Sequence, residues 1–192
     1  MISYRPGGTL VDVATGTGDL LIAVAKEHPE FSQYMGVDIS PQMIERLPPK
    51  ARRAQVSKGV VTRVMSATDL KIEDHSADAL TIAFGLRNVV DRALALDEFS
   101  RVLKDDGELL ILEFFAPENT VGAALFKIYF KHILPMIGGL FSDRSAYAYL
   151  PRSVGSFYSE SELRQELYDR GFKVEQIRRF LFGGCRLIKA KR

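Results

Sequence analysis

Thr9-Leu10-Val11-Asp12-Val13-Ala14-Thr15-Gly16-Thr17-Gly18-Asp19 decides how the rest of the chain is read. A short, β-branched, apolar run enters a Gly-x-Gly turn, and helical spacing begins near Leu20. Two glycines so close together let a ligand approach the backbone, because no Cβ stands in the way. Charge is the distinguishing feature. Asp12 sits inside the strand, and Asp19 follows the second glycine, where a phosphate-binding turn would offer a helix N-terminus to an anion. A carboxylate there repels pyrophosphate and favours a ligand carrying positive charge. The third glycine of a G-x-G-x-x-G pattern is also missing, with Leu21 in its place. On chemistry alone, an ammonium next to a sulfonium, as in S-adenosylmethionine, fits better than a dinucleotide. Asp19 is free to cap the helix as well.

Working outward, Leu20 to His28 carries Leu20, Leu21, Val24 and Ala25 at helical steps. Tyr34 to Asp38 reads as a second strand ending in an acid. Ser40-Pro41 opens a helix that runs through Ile44 and Leu47 until Pro48-Pro49 stops it. Val60 to Met65 and Ala77 to Phe84 are third and fourth strands, and Val90 to Leu103 is an amphipathic helix. Asp105-Asp106-Gly107 turns into the longest strand, Glu108 to Phe115, whose apolar run suits burial on both faces. Ser159-x-x-Glu162 is a capping box for a helix to about Asp169, closed by Arg170-Gly171. Phe172 to Ile177 and Gly184 to Lys189 form a last antiparallel hairpin. The alternation predicts an α/β fold: a doubly wound, mostly parallel, seven-stranded sheet in one domain.

Between Asn119 and Phe141 the pattern changes to Phe, Ile and Leu, broken by Lys127, Lys131, His132, Pro135 and Gly138-Gly139. These breakers argue against a transmembrane span and allow a helix over the sheet edge or on a bilayer surface. Ser142 to Phe157 reads as irregular. With 192 residues, 46% hydrophobic and 26% charged, the chain has ordinary globular composition. A net charge of +2 with scattered basic residues does not suit nucleic acid, and Lys189 to Arg192 reads as a solvated tail. The single Cys185 is a core residue in a reducing compartment. Met1 to Gly8 is short and polar, unlike a signal peptide, so a cytoplasmic protein is expected. No metal site is expected, and whether two chains associate stays open.

Asp38 ends the strand beside the glycine turn, about twenty residues on, where an acid can accept from both ribose hydroxyls. Ile39 continues that wall. Ser66-Ala67 follow the third strand, where small residues suit the edge of adenine, although a plain loop reads equally well. Ala83 would form the floor. Gly85-Leu86-Arg87-Asn88 leaves the fourth strand facing the transferable group. Arg87 offers five fixed donors and Asn88 a donor and an acceptor, suited to gripping an oxyanion. The alternative is a salt bridge from Arg87 and a helix cap from Asn88. His132 is a candidate base or a structural histidine, and Tyr147 with Tyr149 wall a pocket or simply pack.

Asp12-x-Ala14-Thr15-Gly16-Thr17-Gly18-Asp19, Phe84-Gly85-Leu86-Arg87-Asn88, Arg101-Val102-Leu103-Lys104 leading to Leu112-Glu113-Phe114, and Tyr147-x-Tyr149-Leu150 together resemble one family. It is the quinone-biosynthesis C-methyltransferases: demethylmenaquinone methyltransferase and 2-polyprenyl-6-methoxy-1,4-benzoquinol methylase. Phe-Gly-Leu-Arg-Asn is its specific marker, and the glycine turn marks the wider class I methyltransferase fold. The resemblance implies methyl transfer from S-adenosylmethionine to a prenylated quinol. It also implies cofactor contacts at Thr17, Asp38, Ser66 with Ala67, and Ala83. Arg87 and Asn88 would then steady the developing oxyanion, with His132 or a water as base, and Leu125 to Phe141 with the Tyr147/Tyr149 region would accommodate the prenyl tail at a membrane surface. Relatives carry a longer segment before the first strand, with Tyr-Asp-x-Met-Asn and a helix over the cofactor; this chain reads as lacking it. Rival readings are another small lipophilic acceptor, or a non-catalytic S-adenosylmethionine-binding module.

Overall fold

A computed structural model describes residues 1–116 and 150–192. His132, Tyr147, Tyr149 and the 125–141 stretch lie outside the described residues.

β1 (Thr9–Val13) is the hub of a seven-stranded sheet with the order β3-β2-β1-β4-β5-β7-β6. α1 (Asp19–Glu27), β2 (Gln33–Asp38), α2 (Pro41–Ile44), α3 (Leu47–Arg53) and β3 (Val60–Val64) build one flank. β4 (Ala77–Ala83), α4 (Arg92–Val102) and β5 (Leu103–Phe114) build the other. The first five spatial positions pair in parallel, while β7 (Cys185–Lys191) runs antiparallel to both β5 and β6 (Lys173–Phe180). The expected doubly wound sheet and its antiparallel hairpin are both present.

Alternation along β1 divides the core. Leu10 packs with Leu21, Val24 and Leu47 beneath α1 and α3. Val11 and Val13 face the opposite way, into a larger cluster with Leu80, Leu96, Phe99 and Leu163 beneath α4 and α6 (Glu160–Tyr168). Each such side chain contributes roughly 1.5–3 kcal/mol of burial energy, so both faces anchor the strand. The capping box is complete: the Ser159 hydroxyl accepts from Glu162 N, and Glu162 accepts from Ser159 N. Gly171, with φ 83°, closes that helix as the sequence predicts.

Several boundaries differ from the sequence reading. Pro48-Pro49 do not end a helix; they occupy the first turn of α3, where a missing N–H has no partner to lose. Lys104 to Gly107 belong to β5, bulged out between the pairs Ala77–Leu103 and Ala79–Glu108, because β4 offers fewer residues over the same span. Leu150–Gly155 is helical (α5), where irregular chain was expected. Lys189 to Arg192 are not a solvated tail. Lys189 Nζ lies 2.9 Å from the buried Glu108, and Arg192 donates to the Leu103 carbonyl at 2.6 Å, so the last residues complete the sheet.

Candidate active site

The C-terminal ends of β1, β2, β3 and β4 open into one cleft of about 700 Å³. Gly16, Asp38, Ile39, Ser66, Ala67 and Asn88 line it, together with Ala14, Thr68, Phe84 and Gly85. Such a crevice beyond the carboxyl ends of parallel strands is where open α/β sheets bind ligands.

Asp38 organises the turn. One carboxylate oxygen accepts from Gly16 N at 2.8 Å and the other from Ser40 N at 2.9 Å, so the acid is held in place with lone pairs left for a ligand. A Cβ on Gly16 would meet nothing within 4 Å; it would project into the open cleft that backbone alone now borders. Gly18 has a different reason. Its φ is 82°, and a Cβ there would lie 2.3 Å from Leu47 Cγ, so it lets α3 close under the turn. Gly85 permits a third close approach, since its Cβ would sit 2.5 Å from that of Ala14. The β1 and β4 exits therefore meet backbone to side chain.

Asp12 and Asp19 are placed differently from the expectation. Asp12 is buried behind the turn, where Thr15 Oγ1 and Thr81 Oγ1 each donate to it at 2.6 Å. It staples β1 to β4 and does not line the cleft. Burial pushes its carboxyl up to about 6, against the pull of the two threonine hydroxyls. Asp19 is the first residue of α1, and its side chain makes no cap. Instead Lys50 Nζ lies 2.7 Å from it and also donates to Thr17 Oγ1 at 2.8 Å. The Lys50 hydrogen bond, followed by that from Thr17, draws the Asp19 carboxyl below its usual range. The repulsion of phosphate argued from Asp19 is thus offset by a cation that the spacing did not reveal. Thr17, Gly18 and Asp19 shape the turn from outside the cleft lining.

Arg87 is the clearest departure. It does not face the cleft. Its Nη1 lies 2.6 Å from Glu113 Oε1 and donates to the Phe84 carbonyl at 2.7 Å, and both members of the ion pair are buried. Burial raises the Glu113 carboxyl, opposed first by the Arg87 charge. A guanidinium held this way fixes the β4 exit to β5 and is not available to an oxyanion in the cleft. Asn88 does line the cleft, but it caps no helix: Asp91 caps α4 by accepting from Leu94 N at 3.0 Å. Asn88 Nδ2 has only a 3.4 Å contact with the Phe84 carbonyl, a weak hold that leaves the amide able to turn to a ligand. Ser66 and Thr68 hydroxyls lie 2.8 Å apart and fold the loop after β3 against the cleft. Ala83 ends β4 but is not part of the cleft lining, which on this strand begins with Phe84 and Gly85.

Phe84 is the residue that the sequence reading passed over. It has φ 54°, an outlier for a bulky side chain, and its ring sits at 4.7 Å from that of Phe114 at the cleft edge. Its position in Phe-Gly-Leu-Arg-Asn was visible; its backbone conformation was not. Cys185 is buried in β7 as expected, with its thiol pushed up to about 11 by burial and then by the Glu113 charge.

The seven-stranded sheet with its antiparallel end is the fold of the class I methyltransferases. The same fold is found in a SAM-dependent methyltransferase from Aquifex aeolicus (TM-score 0.70, 20% identity, 98% of this chain and 84% of that one). It recurs in the geranyl diphosphate C-methyltransferase of Streptomyces coelicolor A3(2), solved with S-adenosyl-L-homocysteine (TM-score 0.70, 16% identity, 98% and 75%). In sequence, residues 1–190 match the ubiE/COQ5 methyltransferase family. A ubiquinone/menaquinone biosynthesis C-methyltransferase UbiE of Geotalea uraniireducens is 44% identical over 172 residues, 90% of this chain and 73% of that protein. A demethylmenaquinone methyltransferase of Bacteroides fragilis is 38% identical over 189 residues, 97% and 76%. The chain belongs to the ubiE/COQ5 methyltransferase family.

Proposed function

We propose that the chain methylates a ring carbon of a prenylated quinol. The observation that carries this reading is a single cleft with two unlike halves. One half is a backbone-lined turn held by Asp38; the other is the Phe84–Asn88 exit of β4.

The donor we assign is S-adenosylmethionine, and the chemistry of the cleft residues suits it. Gly16 presents a surface without a side chain, Asp38 offers carboxylate lone pairs to the ribose hydroxyls, and Ile39 with Ser66 and Ala67 borders the flat base. Thr17, Gly18, Asp19 and Asp12 hold the turn in shape from behind. When bound, S-adenosylmethionine supplies a methyl group on a positively charged sulfur.

A quinol ring carbon becomes a competent nucleophile once a neighbouring hydroxyl loses its proton. The chain must therefore present the face of the ring to the methyl carbon, in line with the breaking C–S bond, hold the phenolate oxygen, and later release the ring proton to a base. We assign the donation to that oxygen to Asn88, whose weakly held amide lines the cleft. Arg87 acts behind it as a positioning residue, through Glu113 and the Phe84 carbonyl. His132 is our candidate for the base, and the 125–141 stretch for the prenyl tail. Asp38 gives this end of the cleft a carboxylate, which suits a cationic donor better than a nicotinamide dinucleotide.

The test is incubation with S-adenosylmethionine and either a short-tail demethylnaphthoquinol or a short-tail benzoquinol, read by mass spectrometry. The expected product carries one added methyl group and appears in step with S-adenosylhomocysteine. Cofactor binding by calorimetry with no product from either quinol would contradict the reading and leave a binding module.

A further inference from the structure

The turn joining β6 to β7 carries three apolar side chains in a row. Phe180 is 45% exposed, Leu181 38% and Phe182 74%. Leu181 and Phe182 also sit in the left-handed region, with φ 50° and 56°, before Gly183 at 90°. Bulky residues adopt that backbone only under strain, and an Asn-Gly pair would make a hairpin turn with neither strain nor exposed apolar surface. The sequence at this tip works against both stability and solubility, so another demand must keep it apolar.

Its place in the fold identifies that demand. Cys185 is in register with Phe114 on one side and Phe180 on the other, and Phe115 N donates to the Gly184 carbonyl at 3.0 Å. The tip therefore stands at the carboxyl end of β5, the end at which the cleft opens, with the Phe114–Phe84 ring contact between them. Arg178 and Arg179 precede it, both exposed. Arg179 shares its charge with Glu160 at 2.7 Å, while Arg178 has no ion pair among the described residues.

We propose that Phe180, Leu181 and Phe182 insert into the headgroup–acyl boundary of an anionic bilayer, with Arg178 facing the lipid phosphates, and so bring the cleft to the surface in which a prenylated quinol dissolves. The purpose assigned to this contact rests on the quinol reading; the contact itself does not. Three partly exposed side chains are far short of the about 800 Å² per partner that a stable protein interface needs. Reversible interfacial binding needs only buried apolar groups together with basic residues near anionic headgroups.

The test uses the full chain and three proteins: wild type, Phe182→Gly, and Arg178→Glu. Glycine accepts the φ of Phe182, so the first variant removes the ring without disturbing the turn. Co-sedimentation with phosphatidylcholine vesicles containing phosphatidylglycerol should show wild-type binding that weakens in high salt. Phe182→Gly should bind about tenfold less, and Arg178→Glu should lose the preference for anionic over neutral vesicles. Methylation of a short-tail quinol in solution should be the same for all three, while a long-tail quinol held in vesicles should be methylated more slowly by both variants. Wild type that does not bind vesicles, or Phe182→Gly that binds as wild type does, would overturn the proposal. So would a change in self-association on ultracentrifugation with vesicle binding intact. If no quinol is methylated by any of the three, the functional reading fails, and the sedimentation arm still decides the turn.

Discussion

Asp12 occupies a strand position where an aliphatic residue would pack more cheaply, and its hydroxyl donors show what it does instead: it ties the turn to β4 through Thr15 and Thr81. With its carboxyl raised to about 6 when folded and at the ordinary 3.8 when unfolded, the folded chain holds a proton between those values that the unfolded chain has released. The contribution of Asp12 to stability should therefore fall as pH rises from about 4 to about 6, by about 3 kcal/mol in total, and level off above. In Asp12→Asn this part of the pH dependence should vanish; an unchanged slope in urea titrations across that range would contradict the assignment. Phe84 belongs at the same scale. Phe84→Gly relieves a left-handed backbone and leaves the fold intact, yet it should raise the KM for the quinol several-fold with the S-adenosylmethionine Kd unchanged. An equal rise in both constants would mean that the ring serves the turn and not the acceptor.

Between elements, the Arg87–Glu113 pair fastens the β4 exit to β5. Removing Arg87 strands a buried carboxylate, so Arg87→Ala should lose about 3–5 kcal/mol of stability, seen in denaturant melts. If Arg87 instead gripped the acceptor, the variant would stay stable and lose kcat alone. Gly18→Ala tests the other junction. It places a methyl group against Leu47 in a backbone region that alanine avoids, and it should lose about 1–3 kcal/mol and weaken S-adenosylmethionine binding together. The elements themselves were legible wherever a local signal set them: the β-branched strands, the Ser159-x-x-Glu162 box, and Gly171. They were misread where tertiary packing decided, as with Pro48-Pro49 inside α3 and the final lysines drawn into β7 by Glu108.

For the whole molecule, alternation of strand and helix was enough to read the parallel sheet and its antiparallel end, because each crossover repeats the same local pattern. The cleft was readable in part. Asp38, Gly16, Ile39, Ser66, Ala67 and Asn88 follow strand ends and therefore converge by topology. Lys50 neutralising Asp19, Glu113 taking Arg87, and Phe84 forming the wall all depend on partners or backbone angles that spacing does not encode. The central claim is transfer to carbon, and it is tested most directly with S-adenosylmethionine labelled with 13C in its methyl group and a short-tail demethylnaphthoquinol. The carbon spectrum of the product should show the label as a methyl group bonded to the aromatic ring. Label in a methyl ether, or no label in the quinol, would contradict the account.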